Sequence, residues 1–196
     1  MDAGTDARRR EAAGCNDVRL RPVSRAEATA PVVKACYDHL YPNEDPAERP
    51  ENWWAAFANS PAALEHAVNG FLFYQSPQRL LSPLLRELAQ TRVGVAAGSE
   101  FVATQHRKAL ADLGESPERV AAVDDWRDSD LFRTTERHVL AFADAIALNL
   151  GDVPDEIAEP LLKELGDEAF LELTYITAMY LQHAVMSKAL KTEHDA

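Results

Sequence analysis

The chain has 196 residues, of which 46% are hydrophobic and 27% charged. This composition suits one globular domain with its own core and excludes a disordered or fibrous protein. The formal net charge of −12 repels phosphate backbones and anionic lipid, so we expect neither nucleic acid nor a membrane surface as a partner. The longest uncharged apolar run, residues 173–187, is shorter than the ~20 residues of a membrane-spanning helix.

The N-terminal sequence has charge but no apolar stretch behind it. Residues 1–16 are therefore expected to form a disordered tail before a single domain over residues 17–196, and not a secretory signal. The two cysteines, Cys15 and Cys36, are not spaced as a redox motif, and no role follows for Cys36. Such cysteine usage is typical of a reducing compartment, so a cytoplasmic location is expected.

Serine–proline pairs and glycines delimit the predicted elements, all of which are helices. Ser60, Ser82 and Ser116 each stand before a proline, the pattern of an N-cap followed by proline at the first helical position. Gly98 and Gly114 follow helical stretches, as C-terminal caps do. In chain order the predicted helices cover residues 30–40 and, after an aromatic stretch at 53–57, residues 60–74, 82–97, 99–113, a short helix from 116, 134–150, 154–165 and 167–191.

No run of alternating β-branched residues suggests a strand, so the predicted fold class is all-α, a bundle of about seven or eight helices. Thr134 is expected to cap its helix. The acidic stretch 124–130, which carries Trp126, is expected to be a solvated loop. The last helix is apolar on nearly every side, Val185 included, which predicts a buried, central position.

One helix pair combines ionisable residues with apolar faces. In the helix over 99–113, Ser99, Val102 and His106 share a face by their spacing of three and four residues. Glu87, on the preceding helix, also points partly inward, and a turn at Gly98 folds the two helices together. A carboxylate beside an imidazole fixes its tautomer, so the pair can act as an acid/base catalyst.

A structural role is the alternative for each member of this pair. A single histidine on a helix face is more often a hydrogen-bonded core residue than a catalyst. An inward glutamate is often the partner of a nearby arginine, here Arg86 or Arg92. Spacing alone leaves both interpretations open.

The stretch LRELAQTRVGVAAGSEFVATQHRKALADLG closely resembles the core motif of the carboxymuconolactone decarboxylase family, including its alkylhydroperoxidase-D branch. In that branch the motif is Glu, eleven residues, Cys, two residues, Cys, three residues, His. Glu87, Ser99, Val102 and His106 stand here at the same spacing. The similarity continues through TTERHVLAFADAIA and DEAFLELTYITAMYLQHAV, covering about residues 81–190.

The resemblance implies a proton-handling pair without the redox pair. The peroxidases use two cysteines, whereas Ser99 and Val102 can neither attack a hydroperoxide nor resolve an oxidised thiol. Glu87 and His106 remain, which implies a cofactor-independent acid/base enzyme of decarboxylase or isomerase type on a small organic acid or lactone. Ser99 would donate a hydrogen bond to the substrate. A non-catalytic binding or assembly protein, or a peroxidase-like activity by family analogy, are the alternatives.

Further residues are expected to line the same site. Val102, Tyr74, Tyr180 and His183 are candidate substrate-binding residues, although a core role is the alternative for the aromatic and histidine side chains. No Glu-x-x-His or other metal-ligand spacing occurs, so no metal and no organic cofactor are expected. The resemblance also implies a homo-oligomer, either a trimer or an assembly of trimers or dimers.

Overall fold

A computed structural model describes residues 19–48 and 53–192. The predicted tail over residues 1–16, with Cys15, lies outside them. Within the described residues the structure has eight α-helices and no strand, which confirms the predicted all-α class and helix number. Two compact units are present: one comprises the described residues up to Ala67 together with those from Ala189, and the other comprises Val68–Lys188.

The first unit contains α1, Pro31–Leu40, and the short α2, Trp53–Phe57. Helix α3, Pro61–Gln75, begins in this unit and ends in the second. The aromatic stretch at 53–57 is helical, and all five of its residues are buried. Cys36 is a buried free thiol in α1.

The second unit contains α4 Pro83–Ala96, α5 Glu100–Asp112, α6 Pro117–Ala121, α7 Thr134–Leu148 and all but the last two residues of α8, Asp155–Leu190. Ser82 and Ser116 are N-caps as predicted, and Ser99 is a further one; each accepts a hydrogen bond from the backbone N–H three residues on. The prediction for Thr134 is wrong. Arg133 is the N-cap, because the Glu136 side chain accepts the Arg133 N–H at 2.7 Å and starts the helix one residue earlier.

Helix α8 is interrupted at Gly166, whose φ of 74° lies in the left-handed region that glycine adopts without strain. The break divides α8 near the boundary that the sequence placed between residues 165 and 167. The prediction that the final helix is buried all round is wrong for one face. Leu171, Tyr175 and Val185 recur there at helical spacing and are 67%, 49% and 58% exposed.

Helices α4 and α5 approach each other closely at Gly94. A Cβ atom built there would lie 2.5 Å from the Ala103 backbone nitrogen, so only glycine permits this crossing. Val93 and Val102, both buried, are part of the hydrophobic core of the second unit. This crossing fixes the register of α4 on α5, and with it the position of Glu87 relative to His106.

The stretch 124–130 is not a simple solvated loop. It contains a 3₁₀ turn, Trp126–Asp128, and Trp126 is buried with its indole N–H donating to Asp144 Oδ2 at 3.1 Å. Asp144 also accepts from Arg92 Nε and pairs with Arg127 at 2.6 Å. A buried carboxylate needs such partners, and they draw the indole inward.

Candidate active site

The structure brings Glu87 and His106 into direct contact. His106 Nδ1 lies 2.7 Å from Glu87 Oε2, and the two residues are only 4% and 1% exposed. The sequence placed both on facing helices, and the α4–α5 crossing at Gly94 aligns them. The two side chains therefore form a buried hydrogen-bonded pair, and its acid/base role stays a prediction.

The second carboxylate oxygen of Glu87 is held by two further side chains. Tyr74 on α3 donates its hydroxyl to Glu87 Oε1 at 2.5 Å, and Arg86 donates to the same oxygen at 2.8 Å from Nε. The Arg86 guanidinium also lies over the Tyr74 ring, 4.3 Å from its centroid. Of the two arginines considered from the sequence, Arg86 is the partner of Glu87, whereas Arg92 pairs with Asp144.

Protonation follows from these contacts. Burial by itself raises the pKa of Glu87, but the hydrogen bonds from His106 and Tyr74 and the charge of Arg86 bring it below its usual value. Burial, with Tyr180 and Glu87 close by, holds the pKa of Tyr74 well above its usual range. Glu87 is thus a carboxylate and Tyr74 a neutral donor at neutral pH.

A charged Glu87 determines the histidine tautomer. Because the carboxylate can only accept, the hydrogen between Oε2 and Nδ1 belongs to His106 Nδ1. In the neutral ring the lone pair then resides on Nε2, for which the described residues provide no hydrogen-bond partner. The arrangement thus holds Nδ1 on the carboxylate and leaves Nε2 as the ring nitrogen without a partner among the described residues.

Aromatic side chains pack around the imidazole. The Tyr180 ring stands at 88° to the His106 ring with centroids 4.3 Å apart, and Tyr74 lies edge-on at 6.0 Å. His183, one turn along α8, is 4.9 Å from Tyr180 between centroids. Burial, followed by the charge of His106, lowers the pKa of His183 to about 4, so its ring is neutral at pH 7. Three of the predicted substrate-binding residues therefore surround the pair.

Ser99 and Val102 occupy a different level of α5. Ser99 lies two helical turns from His106, about 10 Å along the axis, and its Oγ accepts the Val102 N–H at 3.3 Å. It also lies 3.2 Å from Ser187 Oγ of α8. Val102 is 1% exposed and belongs to the hydrophobic core. The structure thus places Val102 one helical turn and Ser99 two helical turns from His106 along α5.

Two site features were not anticipated from the sequence. Ser187 shares the inner face of α8 with Tyr180 and His183 by its spacing of seven and four residues, a signal the apolar sequence of that helix hides. Gln90 follows Glu87 by one turn and is 0% exposed.

Across residues 19–48 and 53–192, no three His, Cys, Asp or Glu side chains gather as metal ligands, and no helix is long and apolar enough to cross a membrane.

Comparisons with known proteins confirm the resemblance and the fold. Residues 61–145 match the carboxymuconolactone decarboxylase family. The chain is 26% identical over 142 residues to the uncharacterized protein YnjA of Escherichia coli K12, covering 72% of this chain and 76% of that protein.

Two solved structures share the fold. One is a protein of unknown function from Agrobacterium tumefaciens, described as a putative antioxidant defence protein AhpD; it is 22% identical with a TM-score of 0.64, covering 70% of this chain and 94% of that one. The other is the debrominase Bmp8 in complex with 2,3,4-tribromopyrrole; it is 19% identical with a TM-score of 0.72, covering 92% and 93%. At these identities the likeness establishes an AhpD-like helical fold.

Proposed function

We propose that this chain, whose residues 61–145 are a carboxymuconolactone decarboxylase family region, is a cofactor-independent acid/base enzyme acting on a small organic acid or lactone. The observation that carries the proposal is the buried contact of 2.7 Å between Glu87 Oε2 and His106 Nδ1. Perturbed, buried ionisable pairs of this kind are candidate functional sites. His106 is the proposed catalytic residue, and Glu87 holds it in position.

In the proposed reaction, His106 Nε2 removes a proton from the carbon next to a substrate carbonyl. The C–H electron pair becomes an enolate, and the imidazolium is stabilised by Glu87. Returning the proton to another carbon completes an isomerisation. In a decarboxylation, the electrons of the breaking C–C bond form the enolate as CO₂ leaves, and a protonated His106 then delivers its proton to carbon.

A purely structural role explains the contacts less well. A buried charged cluster is costly to desolvate, and apolar side chains of similar volume often give equal or greater stability. Glu87 nevertheless has Tyr74, Arg86 and His106 as hydrogen-bond partners in the interior of the second unit. The free-energy cost of burying these charges supports a catalytic role for the cluster.

Ser99 is proposed to bind the far end of the substrate. Its distance of about two helical turns from His106 suits a group remote from the carbon that loses its proton. Tyr180 and His183, with Val102, would form the apolar and neutral polar walls between these two points. His183 is suited to this part because its pKa of about 4 keeps the ring uncharged near pH 7.

The experiment is a screen of wild type, His106→Ala and Glu87→Gln. Lactone acids and β-keto acids are tested for CO₂ release and for exchange of α-protons in D₂O, and cumene hydroperoxide is tested with a dithiol. His66→Ala is the matched control, because His66 is an exposed helical histidine. Activity lost in His106→Ala and kept in His66→Ala supports the proposal.

Other results would point elsewhere. Activity unchanged in His106→Ala would contradict the proposed role of the histidine. Hydroperoxide turnover by wild type would favour the peroxidase-like alternative, and no activity on any substrate would favour a binding or assembly protein. Ser99 is hydrogen-bonded within α5 and Val102 is a core residue. These two observations favour the binding or assembly alternative.

We also propose a homo-oligomer and a cytoplasmic location. The exposed apolar residues of α8, Leu171, Tyr175 and Val185, form a stripe that a second copy would cover. Leu171→Glu with Val185→Glu should shift the mass measured by light scattering from oligomer to monomer, whereas an unchanged mass would place any interface elsewhere.

The cytoplasmic location rests on the absence of a redox or disulfide spacing between Cys15 and Cys36.

A further inference from the structure

Gln90 is a buried amide that the protein itself does not satisfy. It is 0% exposed, and among the described residues neither its Nε2 nor its Oε1 has a hydrogen-bond partner. Burying an unpaired amide costs on the order of 1–3 kcal/mol relative to pairing it. An apolar side chain of similar volume avoids this cost, so stability does not account for glutamine at this position.

The helix geometry places Gln90 next to the acid/base pair. Glu87, Gln90 and Gly94 lie on one face of α4 by their spacing of three and four residues. That face packs against α5, because Glu87 contacts His106 and Gly94 abuts Ala103. Gln90 therefore lies between these two contacts, one turn from Glu87.

Residues on α5 at this level leave the amide without a protein partner. Ala103 has no polar side-chain atom, and His106 Nδ1 is already engaged by Glu87. The Nδ1 atom of His106 is thus directed to Glu87 rather than to Gln90. Among the described residues the amide is therefore left without a hydrogen-bond partner at both ends.

A second unpaired group lies on α8, the helix that carries Tyr180. Thr177 is 0% exposed, and its hydroxyl also has no partner among the described residues. It precedes Tyr180 by one turn of α8, and the Tyr180 ring is 4.3 Å from His106 between centroids. Two elements that flank the imidazole therefore each present an unused neutral polar group.

We propose that Gln90 is a substrate-binding residue that donates from Nε2 to the carbonyl oxygen of an enolisable lactone or ketone, with Thr177 as a second polar contact. The inference rests on the proposed acid/base function and names the substrate group that it recognises. The recognised group is an uncharged oxygen, because both side chains are neutral and the guanidinium of Arg86 is engaged by Glu87. The amide N–H stabilises the enolate oxygen that forms as His106 removes the proton.

The first measurement separates a binding role from a structural one. Urea unfolding of Gln90→Leu, without ligand, should give a midpoint equal to or above that of wild type, because the variant removes an unpaired amide. A clearly lower midpoint would show that the amide stabilises the fold and would contradict the proposal. Thr177→Val is the companion variant, with the same expectation for the hydroxyl.

The second measurement detects the contact itself. In ¹⁵N-labelled protein the side-chain NH₂ signals of Gln90 are identified by their loss in Gln90→Leu. γ-Butyrolactone should shift these signals in wild type, and tetrahydrofuran, the same ring without the carbonyl, should not. Binding of γ-butyrolactone to Gln90→Leu should be about tenfold weaker, as expected for the loss of one well-formed hydrogen bond.

Signals of Gln90 that do not respond to γ-butyrolactone, or that respond equally to tetrahydrofuran, would contradict the proposal. Neither readout depends on turnover. A chain that binds the lactone through Gln90 without exchanging its α-protons would retain this inference and lose the acid/base function. Catalysis with unchanged kcat and KM in Gln90→Leu would contradict the role of Gln90 and leave the acid/base function standing.

Discussion

Ser99 Oγ lies 3.2 Å from Ser187 Oγ at the N-terminus of α5, and both residues are buried. Either hydroxyl can donate in this contact, and Ser187 Oγ also lies 3.0 Å from the Ala184 carbonyl oxygen. Ser99 Oγ also accepts the Val102 N–H and caps the helix. By the family resemblance, this is the position of the first redox cysteine, and here it joins α5 to α8.

Introducing the two cysteines of the thiol peroxidases at positions 99 and 102 is expected to give this chain thiol peroxidase activity. In Ser99→Cys/Val102→Cys, the helix N-terminus favours a thiolate at position 99. This thiolate attacks the hydroperoxide, releases an alcohol and becomes a sulfenic acid. The thiol at position 102 condenses with it to a disulfide and water, and an added dithiol reduces the disulfide.

Consumption of cumene hydroperoxide in the presence of dithiothreitol measures the gain. We expect at least a tenfold increase over wild type for the double variant. Ser99→Cys alone is the matched control, because it lacks the resolving thiol. A double variant no faster than this control would mean that position 102, which is 1% exposed, is not able to reach position 99.

Gly94→Ala is expected to destabilise the protein through the α4–α5 crossing. The added Cβ would lie 2.5 Å from Ala103 N and 2.8 Å from its Cα, and backbone atoms of a packed helix cannot move aside cheaply. Overpacking of this kind costs typically 1–3 kcal/mol, well above the gain of up to ~1 kcal/mol that alanine gives in a helix. Urea unfolding measures the difference.

Gly70→Ala is the matched control, since Gly70 is also helical. Its added Cβ would meet Met179 Sδ at 3.2 Å, and a flexible thioether can shift by a few tenths of an ångström. The expected free energy of unfolding is equal to or slightly above that of wild type. If Gly94→Ala were as stable as Gly70→Ala, the close crossing would not determine the position of Glu87.

The sequence predicted local structure well because the helices are delimited locally. Ser82, Ser99 and Ser116 each cap a helix by accepting a hydrogen bond from the backbone N–H three residues on. The start of each of these helices therefore depends on a few consecutive residues of the sequence. The Glu87–His106 contact was also predictable, because each residue stands on the inner face of its helix and a short turn at Gly98 joins the helices. These features depend on neighbours in the chain.

Features that depend on distant residues were missed. Trp126 is buried because Asp144, eighteen residues away, accepts its indole N–H, and nothing in the acidic stretch around it indicates this. The exposed face of α8 is apolar, so hydropathy could not separate it from the buried face. The contact between Ser99 and Ser187 was missed because the two residues are 88 positions apart in the chain.

Asp144→Asn is expected to lower stability by about 3 kcal/mol, the lower end of the cost of breaking a buried ion pair by removing one partner. Asp144 is 4% exposed and accepts from Arg92 and Trp126, and it pairs with Arg127. The variant leaves the Arg92 charge buried without a counterion. Urea unfolding followed by tryptophan fluorescence reports both stability and the environment of Trp126.

Asp152→Asn serves as the control, because Asp152 is an exposed acid in the turn after α7. Its expected effect is within about 0.5 kcal/mol, the usual range for surface substitutions. Equal effects of the two variants would mean that the Asp144 contacts add nothing to stability. An unchanged fluorescence spectrum in Asp144→Asn would mean that the Trp126 position does not depend on this carboxylate.

His183 is expected to make stability depend on pH in mildly acidic solution. Its pKa is lowered to about 4 in the folded chain, mainly by burial, whereas an unfolded histidine titrates near 6.5. Between these values the unfolded state binds more protons, so the free energy of unfolding rises with pH through this window and falls as the solution is acidified. The integrated contribution is on the order of 3 kcal/mol.

Glu87 acts in the same direction but in a lower window. Its folded pKa is below the usual 4.5, so its stabilising contribution is complete above the unfolded pKa and is lost as pH falls through the folded one. Urea unfolding of wild type and His183→Phe at pH 7.5, 6 and 5 therefore isolates the histidine. A smaller decrease between pH 7.5 and 5 in His183→Phe is expected, and parallel curves for the two proteins would show that His183 is protonated equally in the folded and unfolded chains.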